Sequence, residues 1–372
     1  MNLDNDRRIV MTLDAGGTNL VFSAIQGNRE IVAPITLPSN AHDLNLCLGA
    51  VVEGFSRVRQ ALPQEPVAIS FAFPGPADYP AGIIGDLPNL PAFRGGIALG
   101  PMLEDKFQLP VFINNDGDLF AYGEAISGFL PYINEKLKAS GSAKQYQNLF
   151  GITLGTGFGG GIVRNGELFI GDNSAAAEIW VMRGKLHPQA YVEESISIRA
   201  VQRVYLAHSS VKHAAPPTPK DIYEYAQGSG QGDQQAAILA FNELGEAIGD
   251  ALANAMTLID GLVVIGGGLS AAGPLFLPRV VAEINGTIET LAGQPIPRTE
   301  LKAFNLEDGA SLQAFIRGEA REITVPGTDR KVVYDPLKRI GIGLSRLGTS
   351  KAVALGAYAF ALHAIDSPSR GA

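Results

Sequence analysis

Three glycine-rich loops and one aspartate carry the chemistry legible in this chain. Asp14-Ala15-Gly16-Gly17-Thr18, Gly155-Thr156-Gly157-Phe158-Gly159-Gly160-Gly161 and Gly266-Gly267-Gly268 each follow a short apolar run. Glycine reaches positive φ without a steric cost, so main-chain amides can close on an anion. Successive amides in a tight turn make a concave anion site. Thr18 and Thr156 add hydroxyl donors. This is phosphate-binding chemistry: a single such loop is most simply a turn, but three at strand ends are hard to explain that way. Gly155-x-Gly157-x-x-Gly160 also matches the spacing of a dinucleotide fingerprint, but that motif needs a helix directly after the loop, and here a strand and an Asn165-Gly166 turn follow. Asp14 opens the first loop. Phosphate sites recruit Mg²⁺ with only one or two carboxylates, and Asp14 suits that task; the plainer alternative is a turn-capping aspartate.

Asp116 follows the apolar run Val111–Ile113 and opens a helical pattern. A carboxylate there suits a helix cap, and equally a base that orients an acceptor hydroxyl and takes its proton during phosphoryl transfer. Asn89, Asn115, Glu178 and Glu193 are polar residues able to hydrogen-bond a hydroxyl-bearing substrate; on their own they read as ordinary loop or surface residues. Glu178 lies in the apolar stretch Ala175–Trp180, an odd place for a solvated charge.

The elements that must position these groups come in two rounds. Strands are expected at Arg8–Leu13, Leu20–Ile25 and Ile31–Ile35, then a helix at Leu44–Ala61, a strand at Val67–Phe71, a helix at Ile97–Phe107 and a strand at Val111–Ile113. A second meander begins at Leu149, helices follow at Ile196–Ala207, Lys220–Ala226 and Gln234–Leu258, and a buried strand is expected at Leu262–Ile265. Residues 286–335 look irregular, as an insertion does, and a last helix covers Ser350–Ala364. The repeated order implies an α/β protein of two similar lobes with a cleft between them. The small lobe is expected at 1–118 plus 352–372 and the large lobe at 119–351.

Composition narrows the functional classes. The chain has 372 residues, 46% hydrophobic, with a net charge of −8. That balance disfavours nucleic acid or an anionic membrane as partner. Cys47 is the single cysteine, so no intramolecular disulfide and no cysteine-based zinc cluster can form. The opening MNLDNDRRIV lacks a signal-peptide core, and no apolar run nears the ~20 residues of a membrane span. A cytoplasmic protein is expected.

Together these pieces resemble the ROK family of sugar kinases and repressors, within the hexokinase and actin superfamily. Asp14–Thr18 is similar to the family's first phosphate motif, and Leu154–Gly161 to the second. Phe73-Pro74-Gly75-Pro76 and Asn89–Phe93 resemble its sugar-side loops. Asn115-Asp116, with Gly123-Glu124 beyond, resembles the segment of the catalytic aspartate. Val263–Ser270 resembles the adenosine-side motif and Arg339–Tyr358 the C-terminal end. The resemblance implies two actin-like (ribonuclease H-like) lobes, ATP with Mg²⁺, and a hexose-type acceptor phosphorylated at its 6-hydroxyl. Asp116 would be the base, with Gly75, Asn89, Asn115, Glu178 and Glu193 on the sugar. Asp14, Gly16, Gly17, Thr18, Gly155, Thr156, Gly157, Gly267 and Gly268 would hold the nucleotide, and a homodimer is implied. Three positions depart from the family. Val181 stands where a histidine usually follows the first sugar glutamate, Lys185–Tyr191 lacks the cysteines of the family's zinc loop, and Asn19 replaces a frequent lysine. A member without structural zinc is expected. The alternatives are a catalytically silent sugar-binding regulator and a kinase using another donor such as polyphosphate.

Overall fold

The computed structural model describes residues 3–87 and 90–367. In chain order, β1 (Val10–Ala15), β2 (Asn19–Gln26), β3 (Arg29–Glu30) and β4 (Ile35–Pro38) precede α1 (Leu44–Ala61) and β5 (Ala68–Ala72). The small strands β6 (Ala77–Asp78), β7 (Ile83–Ile84) and β8 (Ile97–Ala98) lead to α2 (Leu99–Phe107), β9 (Val111–Asn114), α3 (Asp116–Ile126) and α4 (Phe129–Ala139). Next come β10 (Leu149–Leu154), β11 (Phe158–Arg164), β12 (Glu167–Phe169), α5 (Ile198–His208), α6 (Pro219–Ala226) and α7 (Gln234–Ile259). The chain ends with β13 (Leu262–Gly266), α8 (Gly273–Ile284), β14 (Thr287–Glu289), β15 (Pro295–Pro297), β16 (Lys302–Asn305), α9 (Gly309–Arg317), β17 (Arg321–Thr324), β18 (Lys331–Tyr334), β19 (Arg339–Leu344) and α10 (Thr349–Asp366). Two compact units result. The first comprises Met1–Pro131, Gly161–Ala177 and Arg346–Ala372; the second comprises Tyr132–Gly160 and Glu178–Ser345.

The first unit is a mixed sheet in the order β3-β2-β1-β5-β9, with β4 also on β2. β1 pairs antiparallel with β2 and parallel with β5, which pairs parallel with β9. β1 packs against both α1 and α10, and Val10, Met11, Thr12 and Leu13 are all buried. A strand covered on both faces needs no polar alternation. Asp43 caps α1 by accepting from Leu46 N–H at 3.0 Å. The strand expected at 31–35 does not form. Pro34 removes a donor there, and pairing resumes only at β4.

The second unit carries the parallel strands β10-β13-β19-β16 in that order. α7 and α8 pack against each other with very close backbones: a Cβ on Gly245 would lie 2.6 Å from Phe276 O, and one on Gly249 2.8 Å from Val280 O. Residues 286–335 correct the expectation of irregular structure. β16 adds a core strand to the sheet through β19, and α9 buries Phe315 and Ile316. Only the β14–β15 and β17–β18 hairpins are peripheral, with nearly every residue exposed. β16 escaped notice because it has four residues, of which only Ala303 and Phe304 are buried. Among the described residues no helix is long and apolar enough to cross a membrane.

Candidate active site

In the first unit the β1–β2 turn forms the first glycine loop. Gly16 N–H donates to Asn19 O at 2.9 Å. Ser39 pins the loop from behind: its hydroxyl donates to Gly17 O at 2.6 Å and its N–H to Thr18 O at 2.9 Å. A Cβ built on Gly17 would meet nothing within 4 Å, so the loop's outer surface is open. Asp14, Gly17 and Thr18 are exposed.

β9 delivers Asn115 and Asp116 to the start of α3. Asn115, not Asp116, caps the helix, its side chain accepting from Gly117 N–H at 2.8 Å. The Asn115 amide also donates to the Tyr79 hydroxyl at 3.4 Å, and that hydroxyl donates to Phe73 O at 3.0 Å. A Cβ on Gly75 would lie 3.0 Å from the same hydroxyl. Tyr79 therefore fastens the Gly75 loop to the start of α3.

Asp116 Oδ1 accepts from Gly117 N–H at 2.9 Å. Its side chain is open to water, yet surrounding protein pushes its pKa above the ordinary carboxylate value. Desolvation is the largest cause and the charge of Asp14 adds to it, against hydrogen bonds from backbone N–H groups.

In the second unit the loop after β10 is braced by Gly155 N–H donating to Gly157 O at 3.0 Å and Gly155 O accepting from Ile198 N–H at 2.9 Å. Glu193 sits behind it. Its Oε2 accepts from Phe158 N–H at 3.0 Å, and a Cβ on Gly157 would stand 2.8 Å from that oxygen. Arg199 pairs with Glu193 at 3.4 Å. Gly267, at φ +87°, lies against the end of β10, where a Cβ would come within 2.3 Å of Leu154 O. Gly155 and Gly268 have open space where a Cβ would be, and Thr156 is exposed. Glu178 is exposed too, although its neighbours in sequence are apolar. It accepts a hydrogen bond from the Trp180 indole.

The expected site residues thus form two groups. Asp14, Gly16, Gly17, Thr18, Gly75, Asn115 and Asp116 belong to the first unit; Gly155, Thr156, Gly157, Glu178, Glu193, Gly267 and Gly268 belong to the second. Asn89 lies outside the described residues. Two participants, Tyr79 and Trp180, escaped sequence reasoning, and Glu124 enters it only as part of the Asp116 segment. Tyr79 and Trp180 acquire their partners only through folding. Glu124 is fully buried and accepts from Phe129 N–H at 2.7 Å and Leu347 N–H at 3.1 Å, which fixes the far end of α3. Among the described residues no group of three or more His, Cys, Asp or Glu side chains is placed to hold a metal. A groove of about 450 Å³ lined by Asn285, Thr299, Lys302, Glu319 and Lys338 lies in the second unit and contains none of the site residues.

The sequence profile of the ROK family matches residues 10–315. The chain belongs to the ROK family. A glucokinase structure from Parabacteroides distasonis is 57% identical to this ROK protein, with a TM-score of 0.90 over 98% of this chain and 99% of that one. The N-acetyl-D-glucosamine kinase of Aliivibrio salmonicida is 29% identical over 69% of this chain and 83% of its own. The glucokinase of Halalkalibacterium halodurans is also 29% identical, over 72% and 82%. The ROK hexokinase of Thermus thermophilus, 19% identical with a TM-score of 0.65 over 96% of this chain and all of that one, shares the α/β mixed-sheet fold.

Proposed function

We propose that this ROK protein transfers the γ-phosphate of ATP to the 6-hydroxyl of a hexose-type sugar, with Asp116 as general base. The protein is a sugar kinase. The observation that carries the finer reading is Asp116 itself: a water-accessible carboxylate on the first turn of a buried helix, ringed by enough protein to raise its pKa. Oδ1 is held by Gly117 N–H, and Oδ2 is the oxygen assigned to the sugar hydroxyl. A base whose pKa is raised toward the working pH takes a proton more readily in the transition state. Gly75, Asn89, Asn115, Glu178 and Glu193 are assigned to the sugar. The loops of Gly16 and Gly17 and of Gly155 and Gly157, with Thr18 and Thr156, are assigned to the phosphates, and Gly267 and Gly268 to the adenosine side.

Asp14 fits a Mg²⁺–phosphate partner because it is an exposed carboxylate beside an open glycine turn. Asp14 would hold such a cation, which would supply positive charge to offset that of the phosphates. The same proposal includes actin-like architecture for the two units, a cytoplasmic location and a homodimer. The names of the similar proteins, glucokinase and N-acetyl-D-glucosamine kinase, support glucose and N-acetylglucosamine as the first sugars for an ATP-consumption assay. Saturable sugar binding with no ATP turnover on any hexose or N-acetylhexosamine would sink the proposal.

The acid limb of the kcat profile tests the base. Only the ionised carboxylate accepts a proton, so activity falls as pH drops through the raised pKa of Asp116. The apparent value is expected above the ordinary aspartate value of about 3.9. A profile flat down to pH 4, with circular dichroism showing a folded protein, removes Asp116 from the rate law.

Two glycines separate cradle from scaffold. Gly155→Ala is expected to leave Tm nearly unchanged, because its new methyl enters open space. It should raise the ATP KM about tenfold, a cost of about 1.4 kcal/mol, because the methyl obstructs the close approach of a phosphate to the loop. Gly267→Ala meets Leu154 O and adopts positive φ, so a loss of about 3 kcal/mol is expected, visible as a clear fall in Tm. Equal Tm for the two variants would contradict this assignment.

A further inference from the structure

Glu178 follows Ala177, whose φ of +64° lies in the left-handed region that non-glycine residues seldom adopt. It precedes the short helical turn Ile179–Val181. Its Oε2 accepts a hydrogen bond from the Nε1–H of Trp180, the single tryptophan of the chain. The indole stands edge-on to Tyr191, ring centroids 5.8 Å apart and planes at 89°, a geometry that aromatic quadrupoles favour. Tyr191 is itself fixed. It bridges to Arg183 through the backbone, its hydroxyl donates to Glu194 Oε1 at 3.0 Å, and the next residue, Val192, donates N–H to Met182 O at 2.7 Å. The loop between Arg183 and Tyr191 is tied down at its middle as well. Lys185 Nζ lies 2.8 Å from Glu246 and 2.6 Å from Glu283, on α7 and α8.

An exposed glutamate ordinarily samples several rotamers, and fixing one costs entropy at the moment a ligand binds. Trp180 is 38% exposed and Tyr191 42% exposed, so neither ring is there to fill a core. Instead the indole has its N–H on Glu178 and its ring perpendicular to that of Tyr191. Such an indole spends its one donor on one carboxylate oxygen and leaves the other, Oε1, for a sugar hydroxyl. Preorganisation of this kind strengthens binding without touching the reacting atoms.

We propose that Trp180 is the positioning residue of the sugar site: its indole N–H, anchored by Tyr191, holds Glu178 in the rotamer that accepts from the sugar. This inference rests on the reading of Glu178 as a sugar ligand. Trp180→Phe keeps an aromatic ring against Tyr191 and deletes only the donor. The expected result is a sugar KM raised about fivefold, for glucose or N-acetylglucosamine, whichever the enzyme phosphorylates. kcat, the ATP KM and Tm should hardly move, because a uniform binding contact has been lost.

Three measurements complete the test. In the wild-type enzyme without ATP, titration with that sugar should change the emission of the lone tryptophan saturably, at a midpoint near the sugar KM. Glu178→Gln should raise the sugar KM by a larger factor than Trp180→Phe. In the Glu178→Gln background the Trp180→Phe change should add little, since a residue acting through Glu178 has nothing left to position. If Glu178→Gln weakens sugar binding while Trp180→Phe matches wild type, the positioning role is overturned and the Glu178 reading stands. If Glu178→Gln itself matches wild type, the underlying reading fails and the inference with it. If Trp180→Phe lowers Tm and kcat together, Trp180 is structural and the inference is overturned.

Discussion

Asp116→Asn is expected to lower kcat about a thousandfold, within the range by which a positioned base accelerates proton transfer. The amide keeps the size and the Gly117 N–H contact of the carboxylate but cannot take a proton. Sugar binding, measured by calorimetry without ATP, should stay within about threefold of wild type, because a base acts in the transition state and adds little to ground-state affinity. Stability should move the other way. The folded-state pKa of Asp116 is raised, so this residue favours the folded state only at pH values below its unfolded pKa. That contribution is lost as pH rises through the folded pKa. At pH 7 the ionised carboxylate therefore works against folding, and its removal leaves Tm unchanged or higher. A variant less active but no less stable is the signature of a group kept for chemistry. Turnover within about tenfold of wild type would be too small a loss for a general base.

Legibility in the sequence followed the range of the interaction. α1 spans Leu44–Ala61 as its periodicity predicts, since an amphipathic helix with an aspartate cap declares itself locally. The glycine loops were legible because each punctuates an apolar strand, and glycine is the residue a tight anion-binding turn requires. Asp116 was placed at a strand-to-helix junction, where an aspartate suits either a cap or a base; the structure gives the cap to Asn115. What escaped was long-range. β16 becomes a strand only because β19 offers it an edge. Tyr79 gains meaning through Asn115, which is 36 positions away. Trp180 reads as an ordinary apolar residue until its indole is seen on Glu178. The charge on Glu178 looked misplaced among alanines, yet it reaches solvent because the chain there is short turns and not a packed helix.

A second large effect is expected at a glycine that touches no substrate. Gly117 to Ala125 of α3 are all buried, so the helix carrying Asp116 is gripped on every side. α10 lies along it, and their backbones approach at two glycines. A Cβ on Gly123 would stand 2.0 Å from Ala352 O, and one on Gly356 2.0 Å from Leu119 O. Around the crossing, Ala72, Leu119 and Ala357 pack with Val353 and Phe360, and the Phe360 ring meets Tyr122 edge-on at 6.3 Å. No flexible side chain can give way to a new methyl at either glycine, so the helices themselves must separate. Gly356→Ala is therefore expected to cost about 3 kcal/mol, the upper end of ordinary overpacking, and to lower Tm by several degrees. The same displacement moves α3, and misplacing a catalytic group by about 1 Å costs about a hundredfold in rate. Assayed well below its Tm, the Gly356→Ala enzyme should show that loss in kcat while both KM values stay close to wild type. If it were destabilised but kept full kcat, the position of Asp116 would not depend on the α3–α10 crossing, and the base would have to be held by the β9 end of the helix alone.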